Sequence, residues 1–292
     1  MKAIVLSGGG ANGAYQAGAL KYILGMLGVQ PDIVCGTSVG AINASFLAQF
    51  KKGEEIRASV ELVNLWKGIN TAHIYKKWYH GLLWYLPVLW KESVYNTAPI
   101  QKLLRENLDP QKIAESGKQL RVVGVSFTTG ECRRWGETDP LLVEGVLASS
   151  SFPIFFQPVM VDGIPYTDGG LRDITPLNAA IELGATEVYI VTCQPPATSF
   201  KPKPGLKVLD QIPRALSIMT NEISRNDLRK TQLINELCKA GKAPEGKKEI
   251  KLHLVQDQRS LGDSLDFSPE KNRALIDLGF SDSEKQLGEK NV

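Results

Sequence analysis

The chain is short of histidine and cysteine and carries no dominant sign of charge, and each shortage closes a route. Its 292 residues hold three histidines (His73, His80, His253) and four well-separated cysteines (Cys35, Cys132, Cys193, Cys238). The cysteines have neither metal-ligand spacing nor the framework of a disulfide-stapled secreted domain, so a reducing compartment is expected. The net charge of +3, from 34 Lys and Arg against 31 Asp and Glu, is too small to imply a nucleic-acid partner. The Lys-rich stretch 239–251 reads as a solvated loop. No apolar run approaches the roughly 18 residues of a membrane span. The longest, Gly81 to Trp90, is interrupted by Pro87. Glycines break any signal-peptide core after Leu6. The expectation is a soluble cytoplasmic protein, with peripheral membrane contact left open.

What is present is ordinary globular material. A content of 43% hydrophobic and 22% charged residues excludes wholesale disorder, and the length suffices for a large α/β core. Ala3 to Leu6 is a continuous apolar run, followed by Ser7 and three glycines, then a helical pattern from Ala14 to Leu27. Pro31 to Ser38 supplies a second strand and a helix follows to about Gln49. Strand, glycine loop, helix, strand and helix open a mostly parallel sheet with helices on both faces. Further strands are expected at 120–125, 188–192 and 250–255. Val159 to Val161 and Ile164 to Tyr166 flank Asp162-Gly163, a two-residue hairpin signal. Residues 208–239 read as one or two amphipathic helices, and 195–205 as a surface loop. Without repeats or a convincing linker, one domain over 1–285 is expected, with an aromatic insert at 64–98 and a polar tail at 286–292.

Three stretches carry chemistry. Gly36-Thr37-Ser38-Val39-Gly40 lies between a strand pattern and a small-residue helix pattern. A serine on so sharp a turn is held in strained geometry with its hydroxyl projecting, and Gly36 and Gly40 let strand and helix approach. A G-x-S-x-G match alone is common by chance; its strand-before, helix-after context makes it informative. The loop Gly8-Gly9-Gly10-Ala11-Asn12-Gly13 also follows a strand and opens a helix, so its amides can face an anion. Gly8, Gly10 and Gly13 fit a dinucleotide fingerprint. That reading wants an acidic residue at the end of the second strand, where this chain has Thr37-Ser38. An oxyanion hole beside Ser38 fits better, because both loops leave the same carboxyl edge of a parallel sheet.

A serine nucleophile needs a base. His253 would complete an α/β-hydrolase-like order, but it sits in an alternating strand pattern, and Ser38 follows too few strands for that fold. His73 and His80 have no acidic orienter beside them. Asp168, in Asp168-Gly169-Gly170 after the hairpin, is the remaining candidate. Such a triplet is usually only a turn, but its glycines can fold the backbone tightly around a carboxylate aimed at a neighbour. A carboxylate near pKa 4 is a weak base, so the mechanism requires a dry site that raises it.

These pieces, in this order, resemble the patatin-like phospholipase family. The match rests on the glycine loop 8–13, the elbow 36–40 and the triplet 168–170. Supporting stretches are 93–99, 148–153 and the run from Asp266 to Phe280. The resemblance implies a three-layer α/β/α fold and a Ser38–Asp168 dyad without histidine. It further implies an oxyanion hole of Gly8, Gly9 and Gly10, and no metal or cofactor. Asn12 departs from the family, whose loop usually carries Arg or Lys there. The expected activity is hydrolysis of fatty-acyl esters through an acyl-enzyme. An acyltransferase or lysophospholipase would use the same residues, and a non-catalytic lipid- or nucleotide-binding protein would keep only the fold.

Four of the five tryptophans (Trp66, Trp78, Trp84, Trp90) fall within 25 residues, among tyrosines and lysines. Such rings suit a lipid–water interface. Two readings stand: a flap over the acyl pocket touching membranes through Trp84 and Trp90, or a helical pair packed on the core.

Overall fold

The structure, a computed structural model, describes residues 1–78, 91–195, 208–259 and 261–288. Its strands in chain order are β1 (Lys2–Leu6), β2 (Ile33–Thr37), β3 (Lys76–Lys77), β4 (Tyr95–Asn96), β5 (Gln119–Ser126), β6 (Cys132–Gly136), β7 (Val159–Val161), β8 (Ile164–Asp168), β9 (Glu187–Thr192) and β10 (Lys251–Gln256). The helices are α1 (Gly13–Leu20), α2 (Val39–Ala48), α3 (Glu55–Gly68), α4 (Thr71–Ile74), α5 (Ala98–Asn107), α6 (Pro110–Glu115), α7 (Leu142–Ser149), α8 (Leu177–Glu182), α9 (Val208–Lys239) and α10 (Pro269–Gly288). After α1 the helical path widens into a π-turn over Lys21–Met26.

The first strands are apolar on both faces, and a strand of that kind must be covered twice. Ile4, Leu6 and Val34 point into the larger core, built with α1 to α7 and α10. Ala3, Val5, Ile33 and Cys35 point into a smaller one beneath α8 and α9. The result is the expected three-layer α/β/α arrangement. The main sheet runs β10-β9-β1-β2-β5-β8-β7, with β6 also on β5. Its β10, β9, β1, β2 and β5 are mutually parallel.

The position of the hairpin β7–β8 decides the rest. Strand β2 pairs with β5 as far as Thr37 opposite Val123. The hairpin's second arm, running the other way, pairs with the next residues, Asp168 opposite Gly124 through Tyr166 opposite Ser126. Strand β6 pairs with Arg121 to Val125 and therefore holds the opposite edge of β5. Thus β2 and β8 share one edge of β5 and meet end to end, with the residues after Thr37 and at Asp168 at the junction. The turn between β7 and β8 has the expected form, with Asp162 and Gly163 at φ 52° and 76°.

The aromatic segment divides. Trp66 is a core residue, 3% exposed, and its indole N–H donates to Asn43 Oδ1 at 2.9 Å. Tyr75 and Tyr95 pack as tilted rings with centroids 4.3 Å apart beside Phe156, and Trp78 donates to the Ser93 carbonyl at 3.1 Å. Counting Trp66 among interfacial rings is therefore corrected: its N–H has a buried acceptor and its ring stacks parallel on Phe267. Trp84 and Trp90 lie outside the described residues. Among those described, no helix is long and apolar enough to cross a membrane.

The strand junction is tight at Gly169, where an added Cβ would run into the Val123 carbonyl and lie 2.9 Å from Thr37 Cγ2. Gly169→Ala is expected to lower the unfolding free energy by about 1–3 kcal/mol, as overpacking of a close contact does. Urea denaturation compared with wild type measures it.

Candidate active site

Ser38 stands between β2 and α2 with φ 57° and ψ −129°, a conformation that a non-glycine residue holds only when its surroundings impose it. The surroundings are visible. Ser38 N–H donates to Ser149 Oγ at 2.9 Å. Its carbonyl accepts from the amides of Ala41 and Ile42 and from Ser150 Oγ, the last at 3.2 Å. Gly36 and Gly40 face each other across the turn, where a Cβ on Gly36 would strike the Gly40 carbonyl. The role of Ser149 and Ser150, at the end of α7, was not legible from sequence; only their place in the stretch 148–153 was.

Asp168 is fully buried. Its Oδ1 accepts the Gly170 N–H at 2.8 Å, while Oδ2 has no hydrogen-bond partner among the described residues. Burial pushes the carboxyl up to about 7, against the lowering pull of the Ser38 hydroxyl and the Gly170 amide. Ser38 and Asp168 line one cavity of about 780 Å³, together with Gly9, Gly10 and Asn12.

The three loop glycines are not equivalent. The Gly8 amide donates to the Ile174 carbonyl at 3.0 Å, and Gly8 itself is buried outside the cavity lining. The expectation that Gly8 offers an oxyanion donor is corrected: its N–H is already engaged. The amides of Gly9 and Gly10 find no acceptor among the described residues. Gly10 has φ 57°, and an added Cβ there would meet the carbonyl of Ser264, which accepts from Ala11 N–H at 2.8 Å. Gly13 lets α1 pass Val39 and Trp66, and Gly170 sits against Ile174 and Asp168 Oδ1.

A buried polar chain fixes this loop. Gln16 Nε2 donates to the Ser7 carbonyl at 2.6 Å, and Asn43 Nδ2 donates to Gln16 Oε1 at 2.9 Å and to the Gly13 carbonyl at 3.1 Å. Trp66 then donates to Asn43, and Asn272 donates to the carbonyls of Trp66 and Ile69. Asn12 is buried with Oδ1 unpartnered. The histidines are elsewhere. His253 stacks on Tyr189 in β9 and lies 2.9 Å from Glu187 Oε1, and His73 Nδ1 accepts from Asn70 N–H in the cap of α4. His80 lies outside the described residues. Asp173 is also pushed up to about 7, by burial and by Asp227, but it pairs with Arg134 at 3.9 Å away from the cavity.

Residues 4–181, more than half of the chain, match the sequence model of the patatin-like phospholipase family. The chain belongs to that family. The uncharacterized protein YqhO of Bacillus subtilis (strain 168) is 28% identical over 190 residues, which is 59% of this chain and 64% of YqhO. The chain therefore spans less than two thirds of that relative. Among solved structures, VipD from Legionella pneumophila aligns over 99% of this chain and 67% of its own, at 16% identity and a TM-score of 0.43. The type III effector protein ExoU aligns over 99% and 53%, at 14% identity and a TM-score of 0.40.

A carboxyl whose pKa is higher folded than unfolded favours the folded state only while protonated. As pH rises from about 4 to about 7 the unfolded chain loses this proton first, so stability falls across that window. Asp168→Asn keeps the acceptor for Gly170 and removes the ionisation. It should raise stability at pH 8 by on the order of 4 kcal/mol, with the gain closing by pH 4. Thermal unfolding of both proteins across that range checks the sign.

Proposed function

We propose that the chain is a lipid acyl hydrolase in which Ser38 is the nucleophile and Asp168 the only general base. The observation that carries this reading is a strained serine and a buried carboxylate, with one oxygen unpartnered and its pKa raised to about 7, lining the same apolar cavity. A base poised near neutrality is what proton abstraction from a hydroxyl requires. The Ser38 oxygen attacks the acyl carbonyl carbon while its proton passes to Asp168 Oδ2. The carbonyl oxygen becomes an oxyanion facing the amides of Gly9 and Gly10, with the N-terminus of α2 adding a favourable field.

Collapse of that intermediate breaks the bond to the leaving alcohol, which takes the proton from Asp168. Water then enters, gives its proton to Asp168 and attacks the acyl-enzyme. Release of the fatty acid breaks the bond to Ser38 and returns the proton to it. Family membership supports the lipid substrate class, and the dyad extends it to a mechanism.

A fluorophosphonate is expected to modify Ser38 and to leave Ser38→Ala unlabelled. A protein that only binds lipid on this fold would not react. Turnover should fall by a factor on the order of 10³ or more in Asp168→Asn and persist in His253→Ala. On a soluble ester, kcat/KM should rise with pH through an apparent pKa of about 7, because the ionised form of Asp168 accepts the proton. The limb should survive in Asp173→Asn, and its loss there would assign it to the wrong carboxylate.

A further inference from the structure

The residues that line the cavity divide into two unlike arms by the elements that carry them. One is bounded by the first half of α9 and the segment 261–265, with Gln194, Arg214, Thr220, Asn221 and Asp263 among its walls. The other is apolar and runs between α2, α3 and α5. From α2 it takes Val39, Ile42, Asn43 and Phe46, a stripe at intervals of three and four residues, so it follows one face of the helix that starts beside the nucleophile. From α5 it takes a stripe of the same spacing, Ile100 to Asn107.

The far end of this arm is built rather than left open. Phe46 is 8% exposed and packs on Phe50 with ring centroids 5.6 Å apart. Behind it, Gln49 Nε2 donates to the carbonyls of Asn107 and Phe46, at 3.0 and 3.4 Å, while Gln49 Oε1 accepts the Asp109 amide at 2.7 Å. This side chain ties the C-terminal ends of α2 and α5 together, so the floor cannot move away from the walls.

We infer that the α2–α5 arm is the acyl-chain site and that Phe46 is its length-determining residue, selecting medium-chain acyl groups. The inference rests on the hydrolase reading for its chemistry and on the cavity for its length. Val39 to Phe46 is seven residues, about 10 Å at a helical rise of 1.5 Å per residue. An extended chain of carbon–carbon bonds near 1.5 Å advances roughly 1.3 Å per carbon, so the arm holds about eight carbons before meeting the Phe46 ring. The alcohol portion of the ester then lies in the polar arm, where hydrogen-bonding groups replace those it had in water.

The test compares p-nitrophenyl butyrate, octanoate and palmitate with wild type, Phe46→Ala and Ile42→Trp. Wild type should prefer octanoate over palmitate by at least about tenfold in kcat/KM. Phe46→Ala opens the floor and should raise the palmitate-to-octanoate ratio by about tenfold. Ile42→Trp obstructs the arm halfway and should lower the octanoate-to-butyrate ratio by a similar factor. Calorimetric titration of Ser38→Ala protein with octanoic and palmitic acids reads the arm without turnover, and serves too if Phe46→Ala does not fold. A cut-off in binding without any ester hydrolysis by wild type would keep the arm and remove the hydrolase. Hydrolysis with equal rates on octanoate and palmitate, or ratios within about twofold of wild type in both variants, would overturn Phe46 as the floor.

Discussion

Two strands ending against consecutive positions of a third bring the chemistry of this protein together. Thr37 sits opposite Val123 and Asp168 opposite Gly124. Asp168 therefore comes to the end of β2, where Ser38 follows, because the hairpin adds to the free remainder of one edge of β5. Backbone hydrogen bonds set this register, and a one-residue slip would turn Asp168 to the other face of the sheet. The small residues at the junction follow from it, since Gly169 lies against the Val123 carbonyl and Gly36 against Gly40.

Burial at that junction gives Asp168 its character. An exposed aspartate would ionise near 4 and accept a proton from an alcohol poorly. Enclosed beside Ile174 and Gly170, with a single amide on Oδ1, it stays protonated up to about 7. The loop opposite is held by other means. Gln16, Asn43 and Trp66 satisfy one another and the backbone in a chain of buried hydrogen bonds, so the glycine amides are fixed without side chains of their own.

Much of this was legible in the residues because local signals agreed with the final fold. The apolar run at 3–6, the strand pattern from Pro31 to Ser38, the Asp162-Gly163 turn and the amphipathic stretch 208–239 each became the element they suggested, the second strand being confined to Ile33–Thr37. What sequence could not carry was relational. β6 reads Cys-Arg-Arg-Trp-Gly, too charged to announce a strand, and forms because β5 offers it an edge. Gly8 looks like its neighbours in the loop, and only the Ile174 carbonyl distinguishes its amide from theirs. Trp66 looked like part of an aromatic cluster because side-chain chemistry alone does not reveal a partner such as Asn43.

The end-to-end meeting of β2 and β8 also sets when the site comes into being. A growing chain that has completed β1, β2 and α2 already carries Ser38, yet Asp168 arrives only after more than a hundred further residues have been made and the hairpin has docked. Closing so long a loop is slow relative to forming local helices. Ser38 and Asp168 thus come to line one cavity only as the tertiary structure is sealed, and partly folded forms hold one without the other.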